Sequence, residues 1–258
     1  MLLITDFNDI SSLSQPSGLT IGNFDGVHLG HQALLKHLRS KLPLDGMLVV
    51  FTFFNHPSHL FTPDRPAPLI CPPLQKVKYL ADYGADIVIL IPFTFEFAKT
   101  TFEEFLQQLK NRLGFSHLVL GTGSTFGKNR KGDEPNVKNF GSEHDFAVDY
   151  LPKTWVGNAP VSSGRIRASI AKGAFKEVED CLGRPFSLMG RLFKGDGFYL
   201  FSAQGICLPP ERDYTIQIKT VSATYLGRAH LMPKEEMIRL EFVTEKILLD
   251  DQDVELIF

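Results

Sequence analysis

The chain has 258 residues, of which 43% are hydrophobic and 22% charged, a balance that allows a buried core and excludes a disordered or fibrous chain. With 27 basic against 29 acidic side chains the formal net charge is -2, so nothing global draws it to nucleic acid or an anionic lipid surface, and any anion site has to be local. At this length one large domain, or a medium domain joined to a small one, are both open.

The first residues, MLLITDFNDISSL, carry no basic stretch ahead of their short apolar run. Nowhere does an apolar run approach the ~18 residues of a membrane span, and a cytoplasmic protein is expected. Leu19-Thr20-Ile21 reads as a short buried strand. After it comes IGNFDGVHLGH, Ile21 to His31, and then HQALLKHLRSKL, whose Leu34, Leu35, Leu38 and Leu42 share one helical face. Met47 to Phe54, MLVVFTFF, is a near-continuous apolar run of the kind that forms a strand covered on both faces, which implies a parallel sheet.

Pro57 to Pro73 is proline-rich and reads as a long loop, a length that points to function. LQKVKYLADYG predicts a helix ended by Gly84, and DIVILIPF the next buried strand. Thr101 and Glu104 have capping-box spacing ahead of a helix that stops at Gly114. HLVLG is again a strand, followed by the glycine-rich loop GTGSTFGKNRKGD and the strand FAVDYL; SSGRIRASIAKG then opens a last helix pair reaching about Leu182.

Alternating strands and helices predict an α/β fold, a doubly wound, mostly parallel sheet, over residues 1–182. Each glycine- or proline-rich loop follows a strand, where such sheets bind ligands. From about residue 183 the pattern becomes short alternating runs, FYLFSA, DYTIQIKTV, ATYLGRAHLM, MIRLEFV and DVELIF, which predict a small antiparallel β-barrel-like domain over 183–258. Cys71, Cys181 and Cys207 are too few and too far apart for a disulfide framework or a CxxC metal pair, so reduced thiols are expected.

Three loops carry chemistry. His28 and His31, three apart on the turn into a helix, can point at one anion while Gly22, Gly26 and Gly30 let its phosphates approach the backbone. Taken bare, the same string also suits a tight turn with two exposed histidines. SSGRIR is a helix start with Ser162 or Ser163 as cap, and Arg165 and Arg167 as charged donors. Lys128, Arg130 and Lys131 make a local basic loop that suits either departing pyrophosphate or solvent.

TIGNFDGVHLGHQALL resembles the opening motif of the HxGH nucleotidylyltransferase superfamily, and within it that of the prokaryotic bifunctional riboflavin kinase/FMN adenylyltransferase family. FTFFNHP resembles that family's F-x-x-H-P segment. IPFTFEFAKTTFEEF, GKNRKGD and SSGRIRASIAKG resemble later blocks, and CLGRPFSLMG its junction into the kinase module, so the resemblance spans residues 18 to 190. It implies transfer of AMP from ATP to FMN, forming FAD and pyrophosphate, with Mg²⁺ held largely by phosphate oxygens and waters and no metal-ligand set in the protein.

The resemblance assigns His28, His31 and Arg167 to catalysis, and Gly22, Asn23, Phe24, Asp25, Gly30, Ser162, Ser163 and Arg165 to ATP. Asn55, His56, Pro57 and Phe126 fall to FMN, and Lys128 and Arg130 to pyrophosphate. The partners implied are small molecules only, not nucleic acid or a membrane. Three positions depart from the family pattern. Gly123 and Ser124 replace a polar residue and a phenylalanine in G-x-[DN]-F-x-F-G, and Gly164 replaces the threonine of SSTxIR. The kinase motif P-T-x-N is not found in the chain, so the second domain is expected to be a reduced barrel that does not phosphorylate riboflavin. Two other activities suit the same residues: flavin binding without turnover, and adenylyl transfer to another small phosphate such as a pyridine mononucleotide or pantetheine phosphate.

Overall fold

The computed structural model describes residues 1–195, 197–242 and 252–258. The chain divides into two compact units, one of residues 1–67 with 77–160 and one of residues 68–76 with 161–258.

The first unit is built on a parallel sheet. Its strands are β1 (Leu2–Ile4), β2 (Ser17–Ile21), β3 (Met47–Phe53), β4 (Ile87–Ile91), β5 (His117–Gly121) and β6 (Ala147–Leu151), in the order β1-β4-β3-β2-β5-β6. All five residues of β2 and of β4 are buried, as expected of strands covered on both faces, and in β4 they form an unbroken apolar run. Leu19, Ile21, Val49, Phe51, Ile89 and Leu120 join one core cluster with Phe102, Phe105 and Leu109, so alternate residues of the strands supply the core beneath α5 (Phe102–Leu113). On the other face α1 (Leu29–Ser40) buries Leu34, Leu35 and Leu38, and it lies so near β2 that a Cβ on Gly18 would stand 2.6 Å from Leu38 Cδ1.

Thr101 caps α5 in a complete capping box with Glu104, and Gly114 ends it in the left-handed region at φ 62°, both as the spacing implied. The proline-rich stretch holds a single-turn helix, α2 (Ser58–Phe61), before α3 (Pro73–Asp82), and a second short helix, α4 (Phe95–Ala98), follows β4. Beyond the sequence reading lies α6 (Glu134–Glu143), with proline in its first turn and Gly141 near its end. Gly141 has a packing reason: a Cβ there would meet Val148 Cγ2 at 2.6 Å, so only glycine lets the helix close on β6. A small hairpin, β7 (Trp155–Val156) and β8 (Ala159–Pro160), closes the unit.

The second unit holds α7 (Ser163–Ala171) and α8 (Phe175–Leu182), the expected helix pair. Its strands β9 (Ser187–Lys194), β10 (Tyr199–Ser202), β11 (Asp213–Lys219), β12 (Thr224–Met232), β13 (Met237–Phe242) and β14 (Asp253–Ile257) close into an antiparallel barrel in the order β10-β13-β12-β11-β14-β9. Strict alternation of exposed and buried residues along β11 is the period-two signal that marked this region as sheet. β9 completes the barrel; the sequence reading passed over it because its alternation is interrupted by Gly190, where a Cβ would meet the Phe201 ring at 2.8 Å. Val243, the last residue of the expected MIRLEFV strand, lies outside the described residues. The compact units part at residue 160, whereas the sequence pattern changes near 182, so α7 and α8 group with the barrel.

Candidate active site

In the sheet, β2 is the strand from which the order turns: β3 and β4 lie to one side of it and β5 and β6 to the other. The loops leaving the carboxyl ends of β2 and β5, residues 22–28 and 122–133, therefore flank the switch point, where open α/β sheets take their ligands.

The loop after β2 is buried and tightly wound. Phe24 and Val27 are wholly buried, Asp25 is 1% exposed and His28 7%. Its backbone turns through the left-handed region at Phe24 (φ 50°), Gly26 (φ 77°) and Val27 (φ 40°), a conformation that a β-branched residue such as Val27 rarely adopts. Among the bonds that hold the loop in that form, Gly22 N donates to Phe51 O (3.1 Å), Val27 N to Phe24 O (3.0 Å), Thr52 Oγ1 to Asn23 O (3.0 Å) and Gln32 Nε2 to Val27 O (2.9 Å). Gly22 has no room for a side chain without disturbing Phe24, whose ring would lie 3.1 Å from its Cβ.

His28 is the N-cap of α1, its Nδ1 accepting from His31 N at 3.4 Å. With Nδ1 as acceptor the ring proton sits on Nε2, which makes that nitrogen the donor. The His31 ring stacks on His28, centroids 3.6 Å apart and planes 14° from parallel, and Phe24 backs His31 at 4.9 Å. A Cβ on Gly30 would lie 3.2 Å from both Cε1 and Nδ1 of His28, so the glycine is what allows the imidazole to fold over the first turn. Two imidazoles and the N–H groups of a 12-residue helix thus meet at one point, an arrangement suited to a polyanion. Thr154, which the sequence reading missed, borders the same turn, its Oγ1 3.9 Å from that Gly30 Cβ position. No sequence signal marks it, because it comes from the segment after β6.

The loop after β5 is more open. Gly123 stands at φ 84° with nothing within 4 Å of a Cβ, and Thr122, Lys128 and Arg130 are exposed. Phe126 pairs with Gly132 through two backbone bonds of 3.3 and 3.0 Å, and its ring packs edge-on against Phe102 and Phe105. Arg130 Nε donates to Thr125 Oγ1 at 2.9 Å. Nearby on β6, burial and the Glu134 and Asp133 carboxylates hold the Tyr150 phenol well above its ordinary range, so it stays protonated.

Of the residues assigned to FMN, His56 Nδ1 pairs with Ser58 Oγ at 2.8 Å and Pro57 is the N-cap residue before α2. Asn55 spends its amide on Phe93: Nδ2 donates to Phe93 O (3.1 Å), and Phe93 N donates to Oδ1 (2.7 Å).

The remaining expected residues belong to the second unit. Ser162, of the two serines considered, is the N-cap of α7, its hydroxyl accepting from Arg165 N at 3.2 Å, while Ser163 is the first helical residue. Arg165 Nε donates to Glu177 at 2.9 Å, and this bond, with a second from Ser169, holds the Glu177 carboxyl below its usual range. Arg167 Nε donates to Pro68 O at 2.7 Å. Gly164 has open space around its Cβ position, only Ser162 Oγ lying as near as 4.0 Å, so the missing threonine is not a steric requirement of the helix. Among the described residues no three His, Cys, Asp or Glu side chains converge as a metal-ligand set, and no helix is long and apolar enough to cross a membrane.

The family model described as FAD synthetase matches residues 10–165. The FAD synthetase of Listeria monocytogenes is 34% identical over 184 residues, 71% of this chain and 75% of that one. This chain belongs to the FAD synthetase family. The bifunctional riboflavin kinase/FMN adenylyltransferase of Escherichia coli K12 is 33% identical over 199 residues, 76% of this chain and 64% of the relative, so the chain spans under two thirds of that longer enzyme. Among solved structures, one described as a macrolide-efflux protein of Streptococcus pneumoniae superposes with a TM-score of 0.84 at 24% identity, covering 99% of this chain and 88% of that one, a likeness of fold. The family match runs through β2, the HxGH loop and the start of α7.

Proposed function

We propose that this member of the FAD synthetase family transfers AMP from ATP to FMN, releasing pyrophosphate. The observation that carries the reading is the stacked His28–His31 pair on the N-terminus of α1, at the switch point of the sheet. In the reaction an FMN phosphate oxygen attacks the α-phosphorus of ATP. A new P–O bond forms as the bond from α-phosphorus to the bridging oxygen breaks, and pyrophosphate carries the electron pair away.

His28 Nε2, the His31 ring and the first N–H groups of α1 hold triphosphate oxygens and offset the charge that builds on the leaving group. Gly22, Asn23, Phe24 and Asp25 hold the loop in its ATP-binding form, and Gly30 gives the His28 ring its place. Ser162, Ser163, Arg165 and Arg167 are further nucleotide ligands, with Arg167 on phosphate. Lys128 and Arg130 take the pyrophosphate, and His56, Pro57 and Phe126 border the FMN site. ATP arrives with its Mg²⁺, held by phosphate oxygens and water. On this reading residues 1–182 act as the nucleotidylyltransferase part in the cytoplasm, and 183–258 form a structural barrel without riboflavin kinase activity.

Incubation of the pure protein with ATP, Mg²⁺ and FMN, read by flavin chromatography, should give FAD, and riboflavin in place of FMN should stay unchanged. FMN left unconverted removes the reading, and conversion of riboflavin removes its kinase clause. The open turn at Gly123, without the side chain the motif expects, favours one alternative: flavin binding without turnover. Tight FMN binding by calorimetry, with no FAD formed and no change in His28→Ala, would select it.

A further inference from the structure

We infer that Asn55 is a positioning residue for the flavin and not a flavin contact: its side chain replaces a missing rung of the sheet and so fixes an aromatic surface at the carboxyl ends of β3 and β4. The inference rests on the FMN adenylyltransferase reading.

β3 and β4 run parallel with Phe53 opposite Ile91, and the ladder continues one step further, Phe54 N donating to Ile91 O at 2.8 Å. In this register the backbone of Pro92 faces away from β3, and the next β4 residue due to pair with it is Phe93. Asn55 takes over. Its amide donates to Phe93 O and accepts from Phe93 N, the two bonds that a neighbouring peptide group would make, at 3.1 and 2.7 Å.

What the clamp holds is Phe93. Its ring lies edge-on to Phe53 at 5.0 Å, to Phe97 at 5.7 Å and to Phe61 at 5.9 Å. Phe53 and Phe97 connect onward to Phe51 and Phe105 in the core, while Phe61, Phe54 and Phe95 are more than half exposed. Phe93 is therefore the link between a rigid core and an aromatic surface open to a planar ring. One residue after it, Thr94 caps α4 through Phe97 N at 3.1 Å, so the same clamp sets where that helix begins. Each polar end of the Asn55 amide makes a bond to the Phe93 backbone, and through Phe93 the clamp would act on a flavin.

The test is a double-mutant cycle on the full chain with Asn55→Ala, Phe93→Leu and the pair, measuring KM for FMN and for ATP, kcat, and FMN affinity by quenching of flavin fluorescence. Asn55→Ala should raise KM for FMN by roughly ten-fold and leave kcat and KM for ATP within about two-fold; the double variant should be no worse than Phe93→Leu. Asn55→Asp, which keeps the acceptor but loses the donor, guards against a misfolded alanine variant and should show the same bias toward FMN. An unchanged KM for FMN, an equal rise in both KM values, or additive losses in the cycle would each overturn the clamp, the last by pointing to direct contact. Wild-type protein that neither converts nor binds FMN would overturn the underlying activity and the clamp with it.

Discussion

The loops leaving β2 and β5 stand at the same switch point and are built in opposite ways. Residues 24–28 are buried, and the loop is tied by side chains of β3 and α1. Residues 122–133 expose Gly123, Lys128 and Arg130, and their backbone is held where Thr122 N donates to Leu151 O, where Phe126 pairs with Gly132 and where Lys128 N donates to Thr100 O. The first loop arrives with its donors already set, so binding there has little ordering cost; the second has its cations in water and loses freedom only when something binds. A site that places two anions benefits from both: a rigid half for the triphosphate and an adaptable half for what leaves.

The largest expected effect comes from breaking the rigid half. His28→Ala removes a donor and the cap on α1, and kcat/KM for FAD formation should fall by about 10²–10³, the scale of a lost transition-state donor, while the FMN affinity stays close to wild type. A loss below ten-fold would show that the buried loop is only a turn. Next is the anchor of the open half. A Cβ on Gly127 would stand 2.5 Å from Phe102 N, at a φ of 71°, so Gly127→Ala should cost about 1–3 kcal/mol by denaturant melts. Gly123→Asn, also at positive φ but in open space, should be close to neutral, and an equal loss at both positions would contradict the picture of one anchored end and one free end.

Gly30→Ala separates pre-organisation from stability within the first loop. Alanine suits a helix better than glycine, yet its Cβ would press on the His28 ring at 3.2 Å. The expected result is a melting temperature at or above wild type with FAD formation down by several-fold to about ten-fold, from a sub-ångström shift of one imidazole. Unchanged activity would mean that the stacked pair tolerates displacement.

The contrast was partly legible in the sequence. Gly22, His28, Gly30 and His31 announce the first loop because each has a local job, in a turn, a cap or a close approach, and local jobs leave local patterns. The apolar runs of β3 and β4 and the capping box at Thr101 were readable for the same reason. What stayed hidden depends on distant partners. Gly141 looks like a helix breaker until Val148 is seen against it, and β9 is obscured by a glycine that yields to the Phe201 ring. Asn55 was assigned to FMN by resemblance, and its two bonds to Phe93 depend on where the end of β4 lies beside it. Arg165 read as a charged donor at a helix start, and its bond to Glu177 required α8 to be in place.

The smallest expected effect lies at the far end of α1. There His37 Nε2 meets Asp149 of β6 at 2.7 Å, with Lys41 Nζ 3.5 Å from the same carboxylate oxygen. The hydrogen bond from His37, aided by the charge of Lys41, holds the Asp149 carboxyl below its ordinary value of 3.8. A depressed carboxyl stabilises the folded chain above that ordinary value and loses the contribution as pH falls through the lower folded value. The pair is about one third exposed, so solvent screening keeps the effect small. Asp149→Asn should therefore melt about 1–2 °C below wild type at pH 7, with the gap closing as the pH is lowered toward 3. FAD formation at pH 7 should not change, because the bonds that set His28 and His31 lie in the loop itself. A matching loss of activity would mean that the rigid half borrows its order from a clasp at the other end of its helix, and the division between the two loops would no longer be local.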